Sequence, residues 1–231
     1  MSLTASDVLQ SIASMHKKRG KGTHPIWKGL VEGTHNLAQV RYICKQHSIV
    51  TLHNHNYHGR LYVSCPDAEW RERLAEVAYE EATGRLYANG VSHHKLYLNY
   101  GKGLGIGQQE MYETAYCPSA LLYRLYLSDV CSRFIEGVAA VMLGGEAQIP
   151  GLYGRIAENL KQQFGLNDEA LAYWYVHDKA DEDHGDAGRQ LLERFVKTDA
   201  ERELVLKTAG NYMDIASLMF DDIWARTKDL K

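Results

Sequence analysis

An all-α bundle is the fold that the sequence predicts, on three observations. Apolar residues recur at three- and four-residue spacing through most of the 231 positions. Only four prolines occur, Pro25, Pro66, Pro118 and Pro150. Each stands where a helix would begin, because a missing N–H costs nothing at the first helical position. Finally, no stretch alternates like a strand, and Asn89-Gly90 lacks the β-branched flanks of a hairpin. The length suits one helical domain spanning residues 1–231.

Composition narrows the class. Hydrophobic residues make up 45% and charged residues 24%, the balance of a soluble globular chain. A net charge of −3 gives no footing for nucleic acid or an anionic membrane. No signal peptide and no membrane-length apolar run is visible, so a cytoplasmic protein is expected. Cys44, Cys65, Cys117 and Cys131 are widely spaced and form no CxxC, which favours buried free thiols over disulfides.

The elements follow in order. Val8, Leu9, Ile12 and Met15 mark a helix over residues 5–18, which Gly20 and Gly22 break. The basic run His16-Lys-Lys-Arg-Gly-Lys21 reads as a solvated loop. His24-Pro-Ile-Trp27 opens a short helix ending near Gly33. One long helix is predicted from Asn36 into the sixties, with Leu37, Val40, Ile43, Cys44 and Val50 inward. Its His47, His55 and His58 share a face and read as solvated, with the lining of a substrate pocket as the other reading. Asp67 caps the next helix, over residues 67–83, whose buried face carries Trp70, Leu74, Val77 and Ala78.

Glu81 falls on that buried face, whereas Glu80 belongs with Arg73 and Glu76 on the wet side. An inward carboxylate is costly unless it is paired, protonated or bound to metal. A helical piece starts at His93, followed by a looser glycine-rich stretch over residues 101–107. A central helix is predicted from Pro118 to about Gly145, apolar all round through Leu121, Leu122, Leu125, Val130, Phe134, Val138 and Met142. Glu146 continues its greasy face as a second inward acid. A helix over residues 150–164 follows, then one capped by Asn167, and a Thr198-x-x-Glu201 capping box opens a last helix over residues 199–228.

The Asn167-capped helix carries His177-x3-Asp181-x2-His184. Positions i, i+4 and i+7 share a helix face, so two imidazoles and a carboxylate point one way. That trio suits a transition metal such as iron or manganese. Asp178, Glu182 and Asp183 point elsewhere and read as solvated. At least three helices thus turn acids or imidazoles toward one interior, as helix bundles do when they hold metals.

Taken together, Glu81, His93 to Tyr97, Glu146-x-Gln-Ile-Pro150 and the His177/Asp181/His184 motif resemble the haem-oxygenase-like di-metal oxidases. The resemblance runs from about His24 to Trp224 and joins the TenA/PqqC-like superfamily. It implies a seven- to eight-helix bundle with two irons (or manganese) per chain, no haem, and O2 as co-substrate. It implies as metal ligands Glu81, His93, Glu146, His177, Asp181 and His184. The spacing leaves His93 against His94 and Glu81 against Glu80 open. The implied protein is a homodimeric oxidase or oxygenase of a small amine or carboxylate metabolite. Two other activities are weighed: a cofactor-independent oxidase of the pyrroloquinoline-quinone synthase type and a thiaminase-type hydrolase. The hydrolase needs a nucleophilic cysteine, and Cys131 reads as core filler. A metal-storing or scaffolding bundle is the non-catalytic reading.

Overall fold

The computed structural model describes residues 3–231, with the side chains of residues 182–185 left aside. Among the described residues there are helices and turns but no strand, so the all-α expectation holds. Helix α1 (Ala5–Arg19) starts at a reciprocal cap: the Thr4 hydroxyl accepts from Asp7 N, and the Asp7 carboxylate accepts from Thr4 N. A 3-10 turn, Lys21–Thr23, leads into α2 (Pro25–Glu32). That helix has proline at its start and left-handed Gly33 at its end, φ 68°.

Two expected long helices are broken. The first becomes α3 (Leu37–Thr51) and α4 (Asn54–Ser64). At the join His53 N bonds back three residues to Val50 O, and His53 leaves the helical region at φ −125°. The sequence His53-Asn-His-Asn56 explains the break, since Asn and His are weak helix formers whose side chains compete for the backbone. The second becomes α8 (Pro118–Val130), α9 (Phe134–Val138) and a π-helical stretch, Ala139–Gly145, that runs into a 3-10 turn, Glu146–Gln148. Gly144 and Gly145 end it where the ring of Tyr212 lies too close to admit a side chain. These breaks raise the number of helical segments above the seven or eight expected.

The remaining helices match the sequence reading within a few residues: α5 (Ala68–Thr83), α6 (His93–Gly103), α10 (Tyr153–Phe164), α11 (Asp168–Phe195) and α12 (Asp199–Thr227). A short α7 (Gln108–Tyr112) follows the glycine-rich stretch. Helix α6 packs on α11, α4 on α5, α10 on α11, and α12 across the π-helical stretch. Between them lies an aromatic core: Tyr97 meets Tyr173 edge-on at 4.8 Å, Tyr100 meets Trp174 at 5.2 Å, and Trp27 stacks on Tyr153 at 5.9 Å.

Helix α8 does not run through the centre. It buries Ala120, Tyr123, Leu127 and Val130, while Leu121, Leu122 and Leu125 are 46%, 63% and 65% exposed. The break at Cys131–Arg133 separates this half-exposed helix from the following segment, in which residues 137–146 are all buried.

Candidate metal centre

The centre grows from the last turn of α5. Gly84 stops that helix in the left-handed conformation at φ 65°, and the chain folds back so that Ala88 and Gly90 N–H donate to Gly84 O. This turn and α6 enclose the helix end, so both Glu80 and Glu81 are buried. The expectation that Glu80 faces water is therefore wrong. Adjacent helix positions differ by about 100°, and both can lie inside once the end is covered.

The two carboxylates hold His93 from opposite edges. Glu80 Oε1 lies 3.1 Å from His93 Nε2 and Glu81 Oε1 3.1 Å from His93 Nδ1. The second oxygen of Glu80 accepts from Leu86 N at 2.6 Å. Burial pulls the His93 imidazole toward neutrality, but Glu81 and then Glu80 outweigh it and hold the pKa up at about 9. Burial likewise pushes the Glu81 carboxyl up, and His93 with His58 and His177 overcomes this, keeping it ionised far below its usual range. His94, by contrast, is half-buried and pairs with the Tyr112 hydroxyl at 2.7 Å, away from the acids.

Helix α11 supplies the facing side. His177 lies with its ring 4.5 Å from that of His93. Its Nδ1 donates to the Tyr173 carbonyl at 2.8 Å, which places the lone pair of the neutral ring on Nε2. One donor atom from each of Glu81, His93 and His177 falls within 4.8 Å of the others, all three residues buried. Asp181, one turn on, is buried as well. Its side chain and those of Glu146 and His177 line one cavity. The side chain of His184, like those of Glu182 and Asp183, lies outside the described residues. Asp178, read as solvated, is half-buried.

His58 on α4 joins the two halves. Its Nε2 is 3.0 Å from Glu146 Oε1 and 4.0 Å from Glu81 Oε1. The solvated reading of the α3–α4 histidines therefore fails for two of three: His47 and His58 are buried, and His55 alone is exposed. The shared face belongs to the single long helix that the sequence predicts; the break at His53 divides the three between α3 and α4.

Lys21 departs furthest from expectation. It is buried, with Nζ 5.6 Å from the ring centres of both Trp27 and Tyr153. Its N–H donates to Gln148 Oε1 at 2.6 Å, tying the 3-10 turn before α2 to the turn bearing Glu146. Burial lowers its pKa to about 8 against the pull of Asp181 and Glu146. Lys21 shares the cavity, about 470 Å³ of empty space including its mouth, with Glu146, His177 and Asp181. Aromatic and apolar side chains such as Tyr57, Val141, Ile149 and Tyr212 complete the wall.

The donor set suits a hard to borderline transition-metal cation: carboxylate oxygens and imidazole nitrogens meet in a buried cluster, and Glu81 Oε2 has no hydrogen-bond partner among the described residues. A cation could replace the charge that protonated His93 now presents to Glu81. All four cysteines are free and buried, and burial pushes the Cys131 thiol up to about 12. It cannot serve as a thiolate nucleophile near neutral pH.

Residues 41–216 match a family described as iron-containing redox enzymes. A 4-aminobenzoate synthase of Chlamydia trachomatis is 29% identical over 64% of this chain and 63% of its own length. One from Nitrosomonas europaea is 21% identical over 93% and 89%. Against the chlamydial relatives the chain spans only about three fifths of their length. Among solved structures, a Shewanella denitrificans domain of unknown function with a haem oxygenase-like fold superposes with a TM-score of 0.79 at 16% identity, covering 98% of this chain and 94% of that one. A TenA homologue from Pseudomonas syringae superposes at 0.76 with 9% identity, covering 96% and 95%. These two likenesses show the haem-oxygenase-like fold.

Proposed function

The chain belongs to the iron-containing redox enzymes, and from that premise we propose a non-haem, di-iron, O2-dependent oxidase or oxygenase of a small amine or carboxylate metabolite. One observation carries the reading. Glu81, His93 and His177 converge from three helices in a buried cluster, and Glu146 and Asp181 adjoin it. We assign Glu81, His93, Glu146, His177, Asp181 and His184 as the ligands of two irons, with manganese as the substitute metal. His93 is preferred to His94 because only His93 faces the acids. Glu80 becomes the partner that fixes the His93 ring from behind, as carboxylates do for metal-bound imidazoles.

Iron, when bound, supplies the electrons with which O2 is reduced. The chain's own residues supply the rest. The Tyr173 carbonyl fixes the His177 tautomer, Glu80 fixes His93, and His58 holds Glu146 by its Oε1. The aromatic walls keep bulk water from the reacting groups. Relatives named 4-aminobenzoate synthases support a small aromatic amino acid as the product class. We take the protein to be a cytoplasmic homodimer. No described helix is long and apolar enough to cross a membrane.

The test is anaerobic ferrous titration of wild type, His177→Ala and Asp181→Ala, with far-UV circular dichroism as the fold control. Wild type is expected to take two irons per chain and then consume O2, whereas both variants lose iron but keep the helical signal. Retention of two irons by both variants overturns the ligand assignment.

A further inference from the structure

An ammonium group in a protein interior is expensive unless something compensates it. The Lys21 ammonium has aromatic faces beside it but no carboxylate within ion-pair distance among the described residues. The acids that share its cavity, Glu146 and Asp181, are committed to the proposed metal centre. Its backbone is pinned by Gln148, so the side chain is delivered into the chamber rather than left to swing out.

A surface groove beside that chamber has the same sign. Tyr57, which lines the cavity, also lines a surface groove with His53, His55, Arg60 and Arg124. No acidic residue lines this groove, and neither arginine is within 4 Å of a carboxylate among the described residues. A basic groove that shares Tyr57 with the cavity holding a buried cation favours an anionic ligand.

We propose that Lys21 is the anchor for a substrate carboxylate, pairing with it against the Trp27 and Tyr153 rings while the rest of the molecule extends toward Glu146 and His177. This deepens the reading of the cavity as the reaction chamber and rests on it. The substrate class becomes a small monocarboxylate with a flat or apolar body. Lys21 binds and orients it, and no bond is made to the lysine.

The probes are benzoate and its neutral isostere benzamide, titrated calorimetrically into anaerobic ferrous-loaded protein. Wild type is expected to bind benzoate at least ~10-fold more tightly than benzamide. Lys21→Met should weaken benzoate by ~10–100-fold and leave benzamide unchanged, whereas Lys21→Arg should retain most of the benzoate affinity. Iron stoichiometry and circular dichroism of each variant show that the site and fold persist. Equal benzoate binding by wild type and Lys21→Met overturns the proposal and points to carboxylate held by iron alone. No benzoate binding to wild type, or no preference over benzamide, overturns it too. The two readings fail separately. Lys21-dependent benzoate binding by a protein that takes up no iron sinks the di-iron centre and keeps the anchor. Normal iron loading with Lys21 indifferent to benzoate does the reverse.

Discussion

The two sides of the candidate site are built on different kinds of backbone. Glu81, His177 and Asp181 stand within the regular helices α5 and α11, and His93 opens regular α6. Lys21 stands in a 3-10 turn, His58 in a helix that restarts after a break, and Glu146 just past a π-helical stretch. Regular helices repeat a direction every turn, so they can present several ligands on one face with little freedom to drift. Irregular backbone places single groups from odd directions, and π-helical insertions recur at functional sites for that reason. The regular side carries the other assigned ligands, whereas the irregular side contributes Glu146 and is otherwise suited to closing the chamber and meeting substrate.

The sharpest way to break that division is at His93. His93→Asn is expected to lower iron affinity by more than ~100-fold, since even an outer partner of a ligand is worth 10–100-fold. His94→Asn, one residue on, should leave iron stoichiometry unchanged. Ferrous titration of both variants decides it, and a loss confined to His94→Asn would reverse the assignment.

The regular side depends in turn on one irregular residue. Gly84 is left-handed, and a Cβ there would collide with the Val91 carbonyl. Gly84→Ala should cost about 3 kcal/mol, combining backbone strain with the clash. Gly165, also left-handed but with open space around it, should cost only ~1 kcal/mol on the same substitution. Urea unfolding of both variants gives the comparison.

Lys21 tests the irregular side. Its folded pKa of about 8 lies below the ordinary 10.5. Between those values the unfolded chain binds more protons than the folded one, so this group makes stability rise with pH across that window. Below it the full penalty is present. Lys21→Met removes that penalty, so the metal-free variant should be more stable at pH 7 by on the order of 2–3 kcal/mol. The gain should fade as pH approaches 10.5. Equal stability of wild type and variant at pH 7 would mean that the ammonium is not strained by burial.

On iron binding, a smaller effect than that of His93→Asn is expected at His58. It touches Glu146 and approaches Glu81 without being assigned as a ligand. His58→Gln should weaken iron binding by ~10–100-fold while the fold persists. Loss as complete as that of His93→Asn would make His58 a ligand and move the centre toward α4.

The sequence by itself determined the helical class, most of the capped helix boundaries, and the inward direction of Glu81, His177 and Asp181; Glu146 is inward too, but on a 3-10 turn after π-helical backbone rather than on the regular helix that the periodicity predicts. Caps and 3.6-residue periodicity are local, and a residue's face on a regular helix is fixed by its neighbours in the chain. Tertiary structure alone decided where Glu80, His58 and Lys21 point. Glu80 is buried because the turn at Gly84 covers the end of α5. His58 is buried because α4 folds back on α5 after the break. Lys21 is buried because Gln148, 127 residues away, holds its turn against the Glu146 segment. None of these contacts has a local signal, because burial of a polar group is set by what arrives from elsewhere in the chain.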